Sequence, residues 1–337
     1  MGAERIDTIV LAGGFATRLL PLTGSRAKPL LKVAGKTILD YLLPQLRWLS
    51  RLGRIYLTTN IVFADQIRGW LDSQKDVNIL LEVEKSRREE EKLGSIGAVS
   101  SLIDKHGLEN GLLVVAGDNL FSYSLSGLVA FYKNFSPRLP VLVAYDVGSL
   151  EVAKRYGVLT VRNGAIESFE EKPAKPRTSL ISTGCYLFPP SVLPRFGEYL
   201  AGGGNRDAPG HFISWLSKRE RIHCYTPKGV WFDIGGLDSY LEANKHFLGG
   251  KSLIEKPATI KGENKIERSY IMSNSHIENS WIINSVVYEN TTIKNSRIVS
   301  SVVDKDCVIQ NTTIENRIVG EKSRVVGVDV APEKTLR

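Results

Sequence analysis

The C-terminal part of this sequence repeats every 16 residues, and this period constrains the fold more than any other feature. Aliphatic side chains recur in three registers: Ile266, Ile282, Ile298, Ile314 and Val330; Ile271, Val287, Val303 and Val319; and Ile277, Ile293, Ile309 and Val325. An amphipathic helix would repeat every 3.6 residues, and the many Asn, Ser, Thr and β-branched residues also disfavour a helix. Aliphatics five or six residues apart instead predict a β-solenoid of about four coils, each with three faces and one buried aliphatic per face.

Polar and small residues follow the same period. Asparagine occupies one register at Asn279, Asn295 and Asn311, while Ser275, Thr291, Cys307 and Ser323 share another. Because Cys307 takes a position of small hydroxyl residues, we interpret it as a packing residue rather than a reactive thiol. The other cysteines, Cys185 and Cys224, lie far from it and form no C-x-x-C pair. This spacing argues against a zinc site or a disulfide framework and suits a reducing compartment.

Composition restricts the class of protein and its partners. With 337 residues, 42% hydrophobic and 24% charged, the chain has the values of a globular protein rather than a disordered or fibrous one. Its net charge of +8 favours anionic partners such as nucleotides and sugar phosphates. We expect no nucleic acid, because no basic stripe is interleaved with aromatics. Without a signal-like N-terminal segment or an apolar run of 18 residues, we expect a cytoplasmic protein with no membrane partner.

Before residue 250 the sequence alternates short apolar runs with helical patterns. Strands are predicted at 8–11, 54–58, 78–83, 112–116 and 140–146, and helices at 38–52, 62–73, 95–105 and 125–135. This alternation predicts βαβ units in an α/β fold with a Rossmann-like, mostly parallel sheet. Shorter runs between 157 and 230 predict an edge or inserted sheet that carries loops. We therefore divide the chain into an α/β domain at 1–250, a linker at 251–257 and the solenoid at 258–337.

A glycine turn follows the first predicted strand, in the string LAGGFATRLLPLTGSRAKPLL at 11–31. The string lacks the P-loop pattern G-x-x-x-x-G-K-[ST] and the G-x-G-x-x-G of nicotinamide dehydrogenases, so neither class is supported. Gly13 and Gly14 would let the backbone approach a phosphate, and Arg18 and Lys28 supply cations for more than one phosphate group. The residues alone leave open a tight turn whose glycines only relieve backbone strain.

Two aspartates follow apolar runs. Asp118 comes after a strand and a glycine, which places it at a strand's carboxyl end, where open α/β sheets bind ligands. Asp233 follows another β-type run and precedes two glycines. Two carboxylates from separate strands are suited to hold Mg²⁺ together with phosphate oxygens. Either aspartate alone is also compatible with a turn or helix-capping residue.

Seven motifs, in one order, resemble those of the sugar-1-phosphate nucleotidylyltransferases. The glycine-turn string, extended to residue 41, is similar to the family signature, and it is followed by LGSIGAV (93–99), VVAGDNLF (114–121), RYGVL (155–159), FEEKP (169–173), STGCYLF (182–188) and WFDIGGLDSYLEAN (231–244). The resemblance covers about residues 6–248. It implies the nucleotide-diphospho-sugar transferase fold, with the solenoid as the left-handed β-helix found in related enzymes. It also implies that a sugar 1-phosphate attacks the α-phosphorus of a nucleoside triphosphate and releases pyrophosphate.

The resemblance implies a role for each of several residues. The catalytic residues would be Arg18, Lys28, Asp118, Lys172 and Asp233, with Mg²⁺ held by Asp118 and Asp233. The nucleotide would be bound by Leu11, Ala12, Gly13, Gly14, Glu89 and Gly94. The sugar phosphate would be bound by Tyr156, Gly157, Glu171, Lys172, Thr183 and Gly184.

One position departs from the family pattern. Ala16 stands where the signature usually has glycine. Alanine fits there if its φ is negative, but it is strained if φ is positive. The fine geometry of the turn therefore depends on this one angle.

The motifs indicate two different substrate pairs. GDN at 117–119 resembles glucose-1-phosphate thymidylyltransferases, whereas LGSIGAV and DIGGLDSYLEAN resemble mannose-1-phosphate guanylyltransferases. We expect glucose 1-phosphate with dTTP or UTP, and keep mannose 1-phosphate guanylyl transfer as the alternative. A non-catalytic regulatory subunit on the same fold and an acyltransferase are further alternatives, but the five catalytic positions are intact and His276 is the only solenoid histidine. The flat coils of a solenoid predict a homo-oligomer.

Overall fold

The computed structural model describes residues 5–74, 78–136 and 138–327. By compactness the chain divides into two units, of which the first comprises the N-terminal residues to Gly14 and Leu42–Trp231, and the second comprises Phe15–Tyr41 and the chain from Phe232 onward. The glycine-turn string is thus shared between the units. The sequence-based division at 250 and 258 follows chain order rather than compactness, and it stays a prediction.

The helices lie close to their predicted positions. The α-helices of the described residues are α1 (Ile38–Leu49), α2 (Ala64–Ser73), α3 (Ser95–His106), α4 (Leu125–Phe135), α5 (Leu150–Ala153), α6 (Leu193–Ala201), α7 (Pro209–Leu216) and α8 (Leu237–Phe247). Short 3-10 helices lie at Thr17–Leu19, Lys28–Leu30, Glu89–Glu91 and Pro190–Val192. The four predicted helices correspond to α1 to α4. The largest difference is at α1, which ends three residues early because the chain turns there, with the Leu52 N–H donating to the Leu49 carbonyl at 2.8 Å.

The predicted strands are also present. The strands that precede the solenoid are β1 (Ile6–Leu11), β2 (Lys32–Val33), β3 (Lys36–Thr37), β4 (Ile55–Asn60), β5 (Ile79–Glu84), β6 (Gly111–Ala116), β7 (Asn119–Phe121), β8 (Val141–Asp146), β9 (Gly157–Arg162), β10 (Ala165–Glu171), β11 (Leu180–Phe188), β12 (His223–Tyr225) and β13 (Trp231–Asp233). Nine of them form the main sheet of the first unit, in the order β5-β4-β1-β6-β11-β8-β12-β10-β9.

The main sheet confirms the α/β class and is parallel in its first half. β5, β4, β1 and β6 are all parallel, and β4 is buried along its whole length, as expected for a strand covered on both faces. β11 runs antiparallel to both β6 and β8, so from that strand onward the sheet is mixed. The predicted edge sheet between 157 and 230 corresponds to the antiparallel pair β9 and β10.

Parallel pairing brings the carboxyl ends of several strands to one edge of the sheet. Leu11 is in register with Thr58 and with Ala116, so the segments after β1 and β6 leave the sheet side by side. Glu84, the last residue of β5, pairs with Asn60, the last residue of β4. The glycine turn and Asp118 follow directly from this edge.

The solenoid consists of three parallel sheets. The first contains β14 (Leu253–Ile254), β17 (Tyr270–Ile271), β20 (Val286–Val287), β23 (Val302–Val303) and β26 (Ile318–Val319). The second contains β15 (Thr259–Lys261), β18 (His276–Glu278), β21 (Thr292–Lys294), β24 (Val308–Gln310) and β27 (Arg324–Val326). The third contains β16 (Lys265–Glu267), β19 (Trp281–Ile283), β22 (Arg297–Val299) and β25 (Thr313–Glu315).

The predicted aliphatic registers are the stacked core of these sheets. Ile277 pairs with Ile293, which pairs with Ile309, and the other two registers stack in the same way. This three-sheet arrangement is consistent with the left-handed β-helix, although Val330 lies outside the described residues. The asparagine register has a backbone reason, because Asn279 and Asn295 both adopt φ of 47°, a left-handed conformation that asparagine tolerates better than most residues. Cys307 is fully buried, and burial raises the pKa of its thiol, as suits a packing residue.

Candidate active site

A cavity of about 190 Å³ lies at the carboxyl edge of the main sheet, within the first unit. Six residues predicted for the site line it: Leu11, Gly13, Gly14, Gly94, Asp118 and Gly184. Apolar side chains form part of the wall, among them Val114, Tyr186, Phe188, Phe196, Phe212 and Ile213. Further polar lining comes from Glu84, Lys92, Ser95 and Asp207. A mainly apolar cavity with a few convergent polar groups at this edge is typical of a small-molecule site.

The glycine turn is held by the neighbouring strand β4. The Ala12 N–H donates to Thr58 Oγ1 at 3.1 Å, and Asn60 Nδ2 donates to the Gly13 carbonyl at 3.0 Å. Ala12 is itself buried and anchors the turn, whereas Gly13 and Gly14 line the cavity. A Cβ added at Gly14 would have no atom within 4 Å, so the protein does not require glycine there for packing. The space in front of Gly14 is therefore open to a ligand that approaches the backbone.

Gly94 is required by the protein chain itself. Its φ is +76°, and a Cβ there would lie 2.5 Å from the carbonyl oxygen of Arg206. That carbonyl accepts hydrogen bonds from the N–H groups of Ile96 and Gly97, at 2.9 and 3.2 Å, in the first turn of α3. Gly94 thus lets a distant segment cap α3 beside the cavity.

Sequence reasoning missed three charged residues of the cavity. Lys92 Nζ lies 3.0 Å from Asp207 Oδ2 and also contacts Glu89, the predicted nucleotide ligand, which is not itself in the cavity lining. Burial lowers the pKa of Lys92, but its hydrogen bonds to these two carboxylates outweigh that effect and raise it. Glu84 accepts a hydrogen bond from the Leu93 N–H at 2.6 Å. Only Glu84 had a signal in the sequence, because it directly follows the strand predicted at 78–83.

Four of the predicted sugar-phosphate residues are brought together at the ends of β9 and β10. Gly157 pairs with Glu171, and the Lys172 N–H donates to the Tyr156 carbonyl at 3.0 Å. A Cβ on Gly157 would lie 2.3 Å from the ring of Phe169, so only glycine fits there. Burial raises the pKa of Glu171, although the nearby Lys172 opposes the shift, with Nζ 3.9 Å from Oε1.

Trp231 borders Tyr156 and was not predicted as a site residue. The two rings meet edge to face with their centroids 5.3 Å apart, and Tyr145 lies 6.0 Å from the same indole. The buried indole N–H has no hydrogen-bond partner within the described part of the protein. A buried donor without a partner costs free energy, so a ligand oxygen that accepts this hydrogen bond would be bound favourably.

Thr183 and Gly184 lie on β11, where its pairing with β8 changes register between Ser182 and Tyr186. The Thr183 carbonyl accepts a hydrogen bond from Asn119 Nδ2 at 2.6 Å. Gly184 has φ of +74° and lines the cavity together with Asp118. This irregularity in β11 connects part of the predicted sugar site to the cavity.

Arg18, Lys28 and Asp233 belong to the second unit and are described there. Lys28 begins a 3-10 helix, is 8% exposed, and places its Nζ 3.8 Å from Asp233 Oδ1. Arg18 lies in the 3-10 helix Thr17–Leu19 and is exposed. The structure therefore pairs two of the predicted catalytic residues directly, while Asp118 and Lys172 lie in the first unit.

Ala16 adopts the strained conformation that the sequence raised as a question. Its φ is 51° and its ψ is 44°, in the left-handed region. The Ala16 carbonyl accepts hydrogen bonds from the Leu19 N–H at 3.0 Å and from Thr23 Oγ1 at 2.9 Å. These bonds hold the turn in a geometry that glycine would adopt without strain.

Two properties of the described residues bear on cofactors and membranes. No group of three or more His, Cys, Asp or Glu side chains in this part of the chain could hold a metal ion, so a metal at Asp118 or Asp233 would need oxygen ligands from a substrate or water. Within the same ranges, no helix has the length and apolar character needed to cross a bilayer.

Comparisons with known proteins agree in their class. A family model described as nucleotidyl transferase matches residues 7–249. A protein of Sulfolobus acidocaldarius assigned as a mannose-1-phosphate guanyltransferase is 31% identical over 288 residues, which are 84% of this chain and 76% of that protein. A crystal structure from Bacillus anthracis, assigned as a glucose-1-phosphate thymidylyltransferase in complex with sucrose, matches with a TM-score of 0.61 and 25% identity, over 71% of this chain and 94% of that one.

Replacing Ala16 with glycine should stabilise the protein. A left-handed alanine destabilises the folded state by about 1–2 kcal/mol relative to glycine. Glycine offsets about 0.4–1 kcal/mol of this gain, because it gives the unfolded chain more conformational entropy. We expect the free energy of unfolding, measured by urea titration, to rise by about 0.5–1 kcal/mol in Ala16→Gly. Ala27→Gly is the matched control, because Ala27 has φ of −59° and should lose stability. A loss of stability in both variants would contradict the inference that Ala16 is strained.

Proposed function

Because this chain belongs to the nucleotidyl transferase family, we propose that its sugar-1-phosphate nucleotidyltransferase activity joins glucose 1-phosphate to dTTP or UTP and releases pyrophosphate. The observation that carries the proposal is the cavity at the sheet's carboxyl edge, where Gly13, Gly14 and Asp118 meet. Open α/β sheets bind nucleotides at this edge. The sequence alone left open that the glycines of the turn only relieve backbone strain. The open space in front of Gly14 favours a binding role instead.

The reaction needs orientation and positive charge rather than a proton-abstracting side chain. The second pKa of a phosphate monoester is ~6, so the attacking sugar-phosphate oxygen is already ionised near neutral pH. That oxygen bonds to the α-phosphorus as the bond to the pyrophosphate oxygen breaks, and the pyrophosphate leaves with the bonding electron pair. Catalysis therefore depends on bringing two anions together in line and stabilising the charge on the leaving group.

The residues of this chain supply those functions. We assign the Gly13 and Gly14 backbone to the nucleotide phosphates, and Arg18 and Lys28 to the charge of the triphosphate. We assign Lys172 to the phosphate of the sugar. Guanidinium and ammonium groups are the side chains that proteins use for phosphate.

The sugar hydroxyls would meet Glu171 and its surroundings. Glu171 is held by its pairing with Gly157. Tyr156 precedes Gly157, and its ring meets the indole of Trp231. Carboxylates accept hydrogen bonds from hydroxyl groups, while aromatic side chains cover apolar ring faces. This chemistry fits a hexose better than it fits a second nucleotide.

Asp118 and Asp233 are the proposed Mg²⁺ ligands. Both have carboxylate oxygens, the ligand type that Mg²⁺ prefers. The side chain of Asp233 is 22% exposed, so an ion can reach it. Bound Mg²⁺ would offset the charge of the phosphate oxygens. The Lys28 ammonium lies near Asp233, with Nζ 3.8 Å from Oδ1, and adds a further positive charge there.

Guanylyl transfer to mannose 1-phosphate is the second candidate. The Sulfolobus relative carries that assignment and covers 84% of this chain. The Bacillus structure supports the first candidate, thymidylyl transfer, at a lower identity of 25% against 31%. Base selection depends on a few hydrogen bonds, and the charged set of Glu84, Lys92 and Asp207 in the cavity is the place where we expect it to be decided.

A matrix assay tests the proposed substrates. Purified full-length protein is incubated with each of five nucleoside triphosphates and a panel of sugar 1-phosphates, with Mg²⁺, and released pyrophosphate is measured. We expect the highest kcat/KM with glucose 1-phosphate and dTTP or UTP. A preference for GTP and mannose 1-phosphate would favour the second candidate, and the lack of pyrophosphate release with every pair would refute the function.

Neutralising either proposed metal ligand should abolish the Mg²⁺-dependent reaction. We expect Asp118→Asn and Asp233→Asn each to lower kcat by at least about 100-fold, because a neutral amide is a much weaker Mg²⁺ ligand. The matched control is Asp306→Asn on the solenoid, where asparagine occupies the same register at Asn274 and Asn290. Turnover like that of the unmodified enzyme in either site variant would remove that residue from the metal site.

The solenoid is the proposed surface for self-association, in a cytoplasmic homo-oligomer. Stacked coils present flat, regular faces, and such faces favour symmetric contacts between copies. Light scattering of the full-length protein at assay concentration should give a mass at least twice that of one chain. A monomer mass at all concentrations tested would refute this proposal.

A further inference from the structure

One register of the solenoid departs from the 16-residue repeat. This register directly follows the aliphatic register of Ile271, Val287, Val303 and Val319. It holds Met272, Tyr288, Asp304 and Gly320, four residues of different size and polarity. The backbone is regular there, because the N–H groups of Tyr288 and Asp304 donate to Val303 and Val319 at 2.9 and 3.0 Å, one coil further on. The irregularity therefore lies in the side chains alone.

These side chains are shielded from solvent. Met272, Tyr288 and Asp304 are each at most 1% exposed. Within the second unit, this register lies against residues of the glycine-turn string at Tyr288, Asp304 and Gly320. A Cβ on Gly320 would lie 2.9 Å from Cγ of Pro21, and the Ser25 hydroxyl donates to Glu321 Oε2 at 3.1 Å. The variable register is thus fitted to one particular segment of chain.

Arg26 makes the charged contact with this register. Both terminal nitrogens of its guanidinium donate to Asp304 Oδ1 at 3.2 Å, and the guanidinium carbon lies 4.4 Å from the ring centroid of Tyr288. The side chains of Arg26 and Asp304 are 14% and 1% exposed, respectively. Burial raises the pKa of Asp304, and Arg26 opposes that rise. A buried carboxylate requires a counter-ion, so removing either partner leaves an uncompensated charge.

Further anchors follow Lys28 along the chain. The Tyr240 hydroxyl contacts the Lys32 carbonyl and hydrogen-bonds the Tyr288 hydroxyl at 2.8 Å. The Ala34 N–H donates to Asn244 Oδ1 at 3.0 Å. The segment is therefore fixed on both sides of Lys28, by Arg26 before it and by Lys32 and Ala34 after it.

We propose that Arg26 and Asp304 are positioning residues, through which the solenoid fixes the loop that carries Lys28 for its contact with the nucleoside triphosphate. The inference rests on the proposed function for the role of Lys28. Arg26 is two residues from Lys28, and Ala27 between them is 1% exposed. This short, buried connection restricts how far Lys28 can move relative to Arg26. A loop held in advance pays less to order itself around its ligand.

Two variants of different severity test the proposal. Asp304→Asn removes the charge, and Arg26→Lys keeps the charge but loses the planar guanidinium. Glu278→Gln is the control, because it breaks a partly exposed solenoid ion pair with Lys294 at 2.9 Å. All assays are run well below the thermal midpoint of each variant, which separates positioning from global stability.

The first readout is amide hydrogen exchange of residues 15–31, which requires no activity. We expect faster exchange in Asp304→Asn and in Arg26→Lys than in the unmodified protein or the Glu278→Gln control. Exchange that is unchanged in both variants would overturn the proposal, whether or not the protein proves to be a nucleotidyltransferase.

The second readout is steady-state kinetics with the substrates found in the matrix assay. We expect Asp304→Asn to lower kcat/KM for the triphosphate by roughly 10- to 100-fold, with a smaller loss in Arg26→Lys. KM for the sugar phosphate should be unchanged, because Glu171 and Lys172 belong to the first unit. Faster exchange with unchanged kinetics, or an equal loss for both substrates, would overturn the positioning role. An unmodified protein without activity would instead refute the proposed function.

Discussion

Parallel strand pairing is the constraint on which both halves of this molecule depend. In the main sheet it brings the ends of β1, β4, β5 and β6 to one edge, and the glycine turn and Asp118 emerge there. In the solenoid it places equivalent residues of successive coils directly above one another, so that aliphatic registers become a continuous core. Residues that are remote in sequence become neighbours in both cases because the register of the strands is fixed.

The parts that could be predicted from the sequence are those in which a local pattern sets the geometry. The stacking of Ile277 on Ile293 follows from the period alone, since each coil repeats the one before it. The parallel strands follow from short apolar runs separated by helices. Lys92 and Asp207 could not be found this way, because their contact depends on how a distant segment packs against α3. The antiparallel insertion of β11 is likewise a matter of tertiary pairing that no local period encodes.

Glycines in the motifs serve two different purposes. Gly94 and Gly157 are required by the protein's own packing, since a Cβ would collide with a carbonyl at one and an aromatic ring at the other. Gly14 meets no such constraint, so its lack of a side chain favours access by a ligand instead. Ala16 shows the converse, because the turn adopts a left-handed angle at a position where the residue is alanine. The structure therefore separates the motif glycines that the protein's own packing requires from Gly14, where packing requires none.

A regular solenoid needs only its buried registers to be stable, so a buried outer register requires a separate explanation. If the coils served solely to bring copies together, the positions of Tyr288, Asp304 and Gly320 would have no reason to vary from coil to coil in step with another segment. They do vary, in size and in charge: Tyr288 and Asp304 both contact Arg26, and Gly320 leaves room for Pro21. A carboxylate buried against one arginine is also a poor choice for stability alone, because well-packed apolar residues would serve equally well. Specific placement of the loop accounts for both facts, since an ion pair fixes one geometry where an apolar contact would tolerate several.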